Sequence, residues 1–189
     1  PIFTPEQAAA LLTASSADVL AFHAIGFFAG LRVAEIKRLD WRDVDLESGF
    51  IHISAENSKT RTRRLVPILD NLRAWLTPIA KASGKIIKPN FAKRQLAARN
   101  KAGFKPETAK QKEKGITLLL WPENGLRHSF VSYRLTATAN PSQTALESGH
   151  DQDVMFAHYR ELVKPKDAKR YFNIRPVRKG KAVAKADAA

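Results

Sequence analysis

The chain has 189 residues, 32 Lys and Arg against 18 Asp and Glu, a net charge of +14, and no cysteine. That length supports one sizeable core, or a domain with a tail, and the missing cysteine excludes disulfide scaffolds, thiol catalysis and cysteine-based zinc sites. The positive excess favours a polyanionic partner, nucleic acid before an acidic membrane surface. No run of roughly 18 apolar residues offers a bilayer span, and no signal-peptide pattern opens the chain. The first residue is Pro1 rather than Met, so the sequence reads as a fragment of a longer protein, with a soluble, cytoplasmic domain as the default.

Thr4-Pro5-Glu6-Gln7 is a helix start: Thr as N-cap, Pro at the first helical position, Gln three residues after the cap. A second helix is expected from about Ala17, apolar on nearly all sides and therefore buried, with Gly30 as its stop. Val33, Ile36 and Leu39 lie three residues apart, which suits a short helix burying all three. The pattern then shifts to strands. Ile51 and Ile53 alternate with His52, and Leu65 to Ile68 form a returning strand with Pro67 near its end. Lys59, Arg61, Arg63 and Arg64 belong to the connection, read as the basic tip of an antiparallel hairpin or meander.

Asp70 is expected to cap the next helix, which Gly84 ends and Pro78 bends or divides. Asn90 to Ala102 reads as helical, with Phe91 and Leu96 available for packing, and Lys105 to Gly115 as a loop. Helices follow at about 124–138 and 141–148, the second repeating the cap, proline and glutamine pattern in Asn140-Pro141-Ser142-Gln143. The last compact part is Pro165 to Phe172. Residues 173–189 form a basic Ala/Lys-rich tail expected to be disordered.

Taken singly, the residues that could carry chemistry have ordinary explanations. Tyr159 shares a helical face with Phe156 and Val163 and could be a core aromatic. His150 is a loop histidine near a helix start. On a straight helix, His150 and Tyr159 would stand about 13.5 Å apart, so both reach one substrate only if the chain breaks at Gly149-His150. Arg32 and Arg127 sit in apolar stretches, AGLRVAEI and NGLRHSFV, where an unpaired charge is costly. Their partner is either protein, with Glu35 one turn after Arg32, or a bound phosphate gripped by paired hydrogen bonds. Lys59 alone is a solvated lysine.

Together, GLRVAEI, SKTRTRRLVPI, LRHSF, and GH with a tyrosine nine residues later resemble the catalytic domain of tyrosine site-specific recombinases, the phage-integrase family. The resemblance covers roughly residues 3–172 and implies a mainly α-helical catalytic domain with a small antiparallel β-sheet, over residues 1–172. It also implies that the family's N-terminal DNA-clamping domain is absent from this chain. It casts Tyr159 as the nucleophile that forms a 3′-phosphotyrosyl link to DNA, and Arg32 and Arg127 as clamps on the non-bridging oxygens. Lys59 matches the lysine that protonates the leaving 5′-oxygen, His150 a phosphate-bonding histidine, and Glu35 an acidic brace. Thr60, Arg61 and Arg63 become candidate DNA contacts. No metal or other cofactor is implied. The implied partners are double-stranded DNA and further copies of the chain, as a tetramer on paired sites joined through the C-terminal segment at 165–180, in the cytoplasm and at the nucleoid.

One position departs. The family carries histidine or lysine three residues before the second arginine, and here that residue is Asn124, an amide that cannot take a proton near neutral pH. Water, His150 or the two arginines would have to compensate, with the neighbouring His128 a further substitute if it does not simply pack locally. Two other readings stand beside the recombinase: a type IB topoisomerase-like enzyme with the same chemistry, and a DNA-binding protein that has lost catalysis.

Overall fold

The computed structural model describes residues 1–56, 63–104, 121–150 and 163–177. The expected start of the first helix forms as written. Helix α1 (Pro5–Ala14) opens on Thr4, whose hydroxyl accepts from Gln7 N while the Gln7 side chain accepts from Thr4 N. Helix α2 (Ala17–Phe28) is the central element, with nine of its twelve residues buried. It packs against α1, against α4 (Asp70–Leu76), against α5 (Phe91–Lys101) and against α6 (Gly125–Thr138).

Between α3 (Val33–Arg38) and α4 lies a three-stranded antiparallel sheet, β1 (Val44–Asp45), β2 (Phe50–Ile53) and β3 (Arg64–Pro67), in the order β1-β2-β3. Ile51 pairs with Val66, and Ile53 with Arg64. The period of two sends Ile51, Ile53 and Val66 into the core and leaves Phe50 and Leu65 outside. The chain closes with α7 (Pro141–Ser148) and α8 (Pro165–Phe172). Asn140 caps α7 by accepting from Gln143 N.

A main core and a smaller cluster of Phe130, Val131 and Ala145 hold these elements together. Phe3 is fully buried among Phe27, Phe104 and Trp121, and its backbone is fixed to α6 at both ends: Phe3 N donates to Ser129 Oγ, and Tyr133 Oη donates to Phe3 O. Tyr171 of α8 stacks on Tyr133 and donates its hydroxyl to Phe27 O at 2.7 Å. The chain does not leave the core at Phe172, because Ile174 packs on it and its carbonyl accepts from Trp75 Nε1.

Several expectations are corrected. Val33 is 39% exposed, facing a cleft rather than the core; only Ile36 and Leu39 of that trio are buried. Leu96 is likewise exposed, while Phe91 packs edge-on against Phe22. Asp70 is the first residue of α4 and Leu69 its cap position. The helix stops at Leu76, and Pro78 forms the 3-10 turn Thr77–Ile79 instead of bending a longer helix. Tyr171, one residue before the end of the last expected compact part, is completely buried. The expected loop at 105–115, Lys59, Thr60, Arg61, Tyr159 and residues 178–189 lie outside the described residues.

Candidate active site

Helix α2 must end sharply for α3 to begin beside α6, and Gly30 makes the turn. Its φ is +62°, and an added Cβ would fall 2.2 Å from the Phe130 ring, so neither the conformation nor the space admits a side chain. Arg32 follows as the N-cap of α3. Its backbone N donates to Glu35 Oε2 at 2.9 Å, and its Nη1 donates to Glu35 Oε1 at 3.2 Å. Its Nη2 crosses to the other end of the sequence and donates to Gly149 O at 2.5 Å.

Arg127, in the first turn of α6, is 9% exposed. Its Nη1 donates to Gly30 O and to Ser148 O, both at 2.6 Å. The two arginines therefore grip the consecutive carbonyls of Ser148 and Gly149, the residues that end α7. Gly149 takes φ +67° there, and the turn aims His150 at the same place. The break that the sequence required at Gly149-His150 is present.

Ser148 fixes the His150 ring. Its Oγ donates to Thr144 O at 2.6 Å, and a hydroxyl has one proton, so the contact of 2.9 Å to His150 Nδ1 places the ring hydrogen on Nδ1. Burial first, then the charges of Arg127, Arg32, His128 and Arg64, push the His150 pKa down to about 3. The imidazole is thus neutral at physiological pH, with Nε2 as its unprotonated nitrogen.

Glu35 lies beneath the arginines, its side chain 1% exposed. Burial by itself would raise its carboxyl pKa; hydrogen bonds and charge from Arg64, followed by those of Arg32, override burial and hold it below the usual range. Arg64 donates to both oxygens, Nη1 to Oε1 at 3.1 Å and Nη2 to Oε2 at 2.7 Å.

Arg32, Asn124, Arg127 and His150 line one cleft of about 610 Å³, together with His128, Arg99 and the rings of Phe22, Phe91 and Trp121. His128 thus lines the cleft as well. Asn124 is the N-cap of α6 in the left-handed region, φ 51°. Arg63 is exposed and borders a separate recess beside His52 and Leu65, so it does not join this group.

The sequence contains three tyrosines, and two are committed to the core. Tyr133 is 3% exposed; its pKa is pushed up to about 12 by burial, then by the charges of Asp167 and Glu6. Tyr171 is fully buried, and burial, followed by Tyr133, raises it well above the ordinary value. Both hydroxyls are spent on core carbonyls. Neither faces the cleft.

Arg64 and Ser148 are the residues that sequence reasoning missed. From the sequence, Arg64 reads as part of the basic hairpin tip with its neighbours. The signal was available in the strand period, since Arg64 stands two residues before the core residue Val66 and so shares its face. Ser148 gave no such signal, because its role depends on the turn that follows it.

The sequence pattern of the phage integrase family matches residues 2–165. The chain belongs to the phage integrase family. Tyrosine recombinase XerC of Haemophilus ducreyi is 32% identical over 134 residues, covering 64% of this chain and 40% of that protein. IntQ of Escherichia coli K12, a protein whose name includes the word defective, is 27% identical over 170 residues, covering 71% of this chain and 43% of its own length. This phage integrase chain thus spans about two fifths of the curated relatives it matches. The crystal structure of XerA recombinase superposes with a TM-score of 0.63 at 18% identity, covering 94% of this chain and 64% of that one. The helical architecture with its small antiparallel sheet is therefore the tyrosine recombinase catalytic fold. Among the described residues, no helix is long and apolar enough to cross a membrane.

Proposed function

We propose that this chain is the catalytic part of a site-specific recombinase that cleaves and rejoins double-stranded DNA through a 3′-phosphotyrosyl intermediate. The observation that carries the reading is the convergence of Arg32, Arg127 and His150, from three separate segments, on one cleft, all tied to the turn at Ser148-Gly149.

A phosphodiester in this cleft presents two non-bridging oxygens to Arg32 and Arg127, guanidiniums already held in place before substrate arrives. Such fixed donors stabilise the charge that grows on phosphorus-bound oxygens without reorganising. Tyr159 gives up its hydroxyl proton to water or to His150 and attacks phosphorus, the bond from phosphorus to the 5′-oxygen breaks, and Lys59 supplies the proton to that leaving oxygen. The covalent link conserves the bond for rejoining, so no metal or nucleotide cofactor takes part. Because Ser148 occupies Nδ1–H, His150 bonds a phosphate oxygen only after Nε2 gains a proton, and the substrate's negative charge favours that gain. Glu35 braces Arg32. Thr60, Arg61 and Arg63 extend the contact along the DNA backbone.

The family relatives support a recombinase over a type IB topoisomerase-like enzyme. The protein acts where chromosomal DNA lies, in the cytoplasm and at the nucleoid, as a tetramer on paired sites joined through its C-terminal segment. Since Tyr171 and Ile174 are held in the chain's own core, the exchanged piece lies beyond Ile174. A second reading, binding without catalysis, is favoured by Asn124 alone.

A suicide DNA substrate, nicked so that the leaving strand diffuses away, separates the two. The full-length protein on its own recombination site should form a covalent protein–DNA adduct that is absent in Tyr159→Phe. DNA binding with no adduct from the parent protein establishes the binding-only reading.

A further inference from the structure

Four residues from three distant segments close into a ring beneath the cleft. Arg32 bonds Glu35, Glu35 bonds Arg64, the Arg64 guanidinium lies against Gly149, and Gly149 O accepts from Arg32. The approach at Gly149 is close. A methyl group built there would stand 3.0 Å from Arg64 Cζ, 3.1 Å from Nη1 and 3.2 Å from Nε. The guanidinium thus packs flat against the backbone of the turn that presents His150.

Arg64 is an expensive residue in this place. Its side chain is 8% exposed, and its Nε is buried with no hydrogen-bond partner among the described residues. A buried orphan donor costs on the order of 1–3 kcal/mol, so a fold needing only to fill space would do better with an apolar side chain. The forked contact to Glu35 explains the charge. One carboxylate shared between two guanidiniums cannot neutralise both, so Arg32 keeps positive charge for a ligand. Were Arg64 neutral, Glu35 would pair with Arg32 alone and cancel the charge that it presents to the cleft.

We propose that Arg64 is a positioning residue for strand cleavage. It draws the Glu35 carboxylate away from Arg32 and supports the Gly149 turn, so that Arg32 and His150 hold their places relative to each other. Arg64 touches no substrate; it acts through Glu35 and Gly149. The inference rests on the proposed recombinase chemistry for its effect on rate, but the ring itself is independent of it.

The test uses the full-length protein and single-turnover cleavage of the suicide substrate. Arg64→Gln should lower the cleavage rate by about 10²-fold, the scale of a misplaced reacting group, while DNA affinity stays within about threefold. Adding Glu35→Gln to it should restore part of that rate, because the second change releases Arg32 from an unshared carboxylate. A purely structural role predicts the reverse, a double variant worse than either single one. Cleavage by R64Q within about threefold of the parent, or a double variant no faster than R64Q, overturns the proposal. If R64Q fails to fold, Arg64→Lys retains the charge without the fork and should cleave at least about tenfold slower; parental rate in a folded R64K overturns it equally. If the parent forms no adduct, the recombinase reading fails instead, and ¹⁵N NMR of the Arg32 guanidinium decides. Restricted rotation about Nε–Cζ in the parent that is lost in the variant that folds, R64Q or R64K, supports positioning, and unchanged rotation in that variant overturns it.

Discussion

Asn124 occupies a backbone position with few tenants. At φ 51° it is left-handed, a conformation that asparagine, aspartate and histidine tolerate better than other side chains. Histidine can therefore replace it without strain, and its imidazole would enter the cleft where the amide now stands, exposed beside Arg127. We expect Asn124→His to leave DNA affinity unchanged and to speed single-turnover cleavage, because a group able to accept a proton replaces one that cannot. Equal or slower cleavage, measured on the same substrate, would show that proton acceptance is already served by another group. At this scale the sequence was informative about identity and poor about company. Arg32, Arg127 and His150 were legible because they recur at recognisable spacings. That Gly30 O and Ser148 O hold Arg127 was not legible, since backbone carbonyls carry no signature and their approach depends on folding across ninety-seven and twenty-one residues.

Helix ends were the most readable elements, since capping is local chemistry. Thr4 and Asn140 both hold their helices as their side chains suggested. Asn140 matters beyond its own helix, because α7 delivers Ser148, Gly149 and His150 to the cleft. Asn140→Ala should cost about 1 kcal/mol and lower the melting temperature by about 2–4 °C for a chain of this size, as read by circular dichroism. The misjudged elements share a different cause. Val33 and Leu96 have core periodicity but face a cleft and solvent, and whether an apolar face is covered is decided by the elements around it rather than by its own pattern. The strand carrying Arg64 shows the converse. Its period was right, and only the habit of assigning arginine to the surface hid the result.

The molecule as a whole contains, among the described residues, several buried ionisable groups that take no part in the proposed chemistry, and one of them is a histidine. His23, in the middle of α2, is completely buried, with Nδ1 2.7 Å from Ser15 Oγ and Nε2 without a hydrogen-bond partner among the described residues. Burial, then the charge of Arg99, pushes its pKa down to about 3, from 6.5 in the unfolded chain. The folded state therefore binds fewer protons than the unfolded one, and stability falls as pH drops from about 6.5 toward 3. At pH 4.5 the loss from this residue is about 2–3 kcal/mol. His23→Leu should remove that loss, so thermal midpoints of variant and parent should diverge in the variant's favour between pH 7 and pH 4.5. Parallel midpoints across that range would mean that His23 gains a proton without leaving the core.

Gly30 links these scales. It turns the chain into Arg32, yields its place to the Phe130 ring, and lends its carbonyl to Arg127. In a library of variants ranked by activity alone, position 30 would look as intolerant as a group that meets the substrate. It would be scored as part of the chemistry although it carries no side chain at all. Ranking the same library by abundance of folded protein would separate the two kinds of intolerance, and a position that fails both screens marks where this fold and its chemistry are the same requirement.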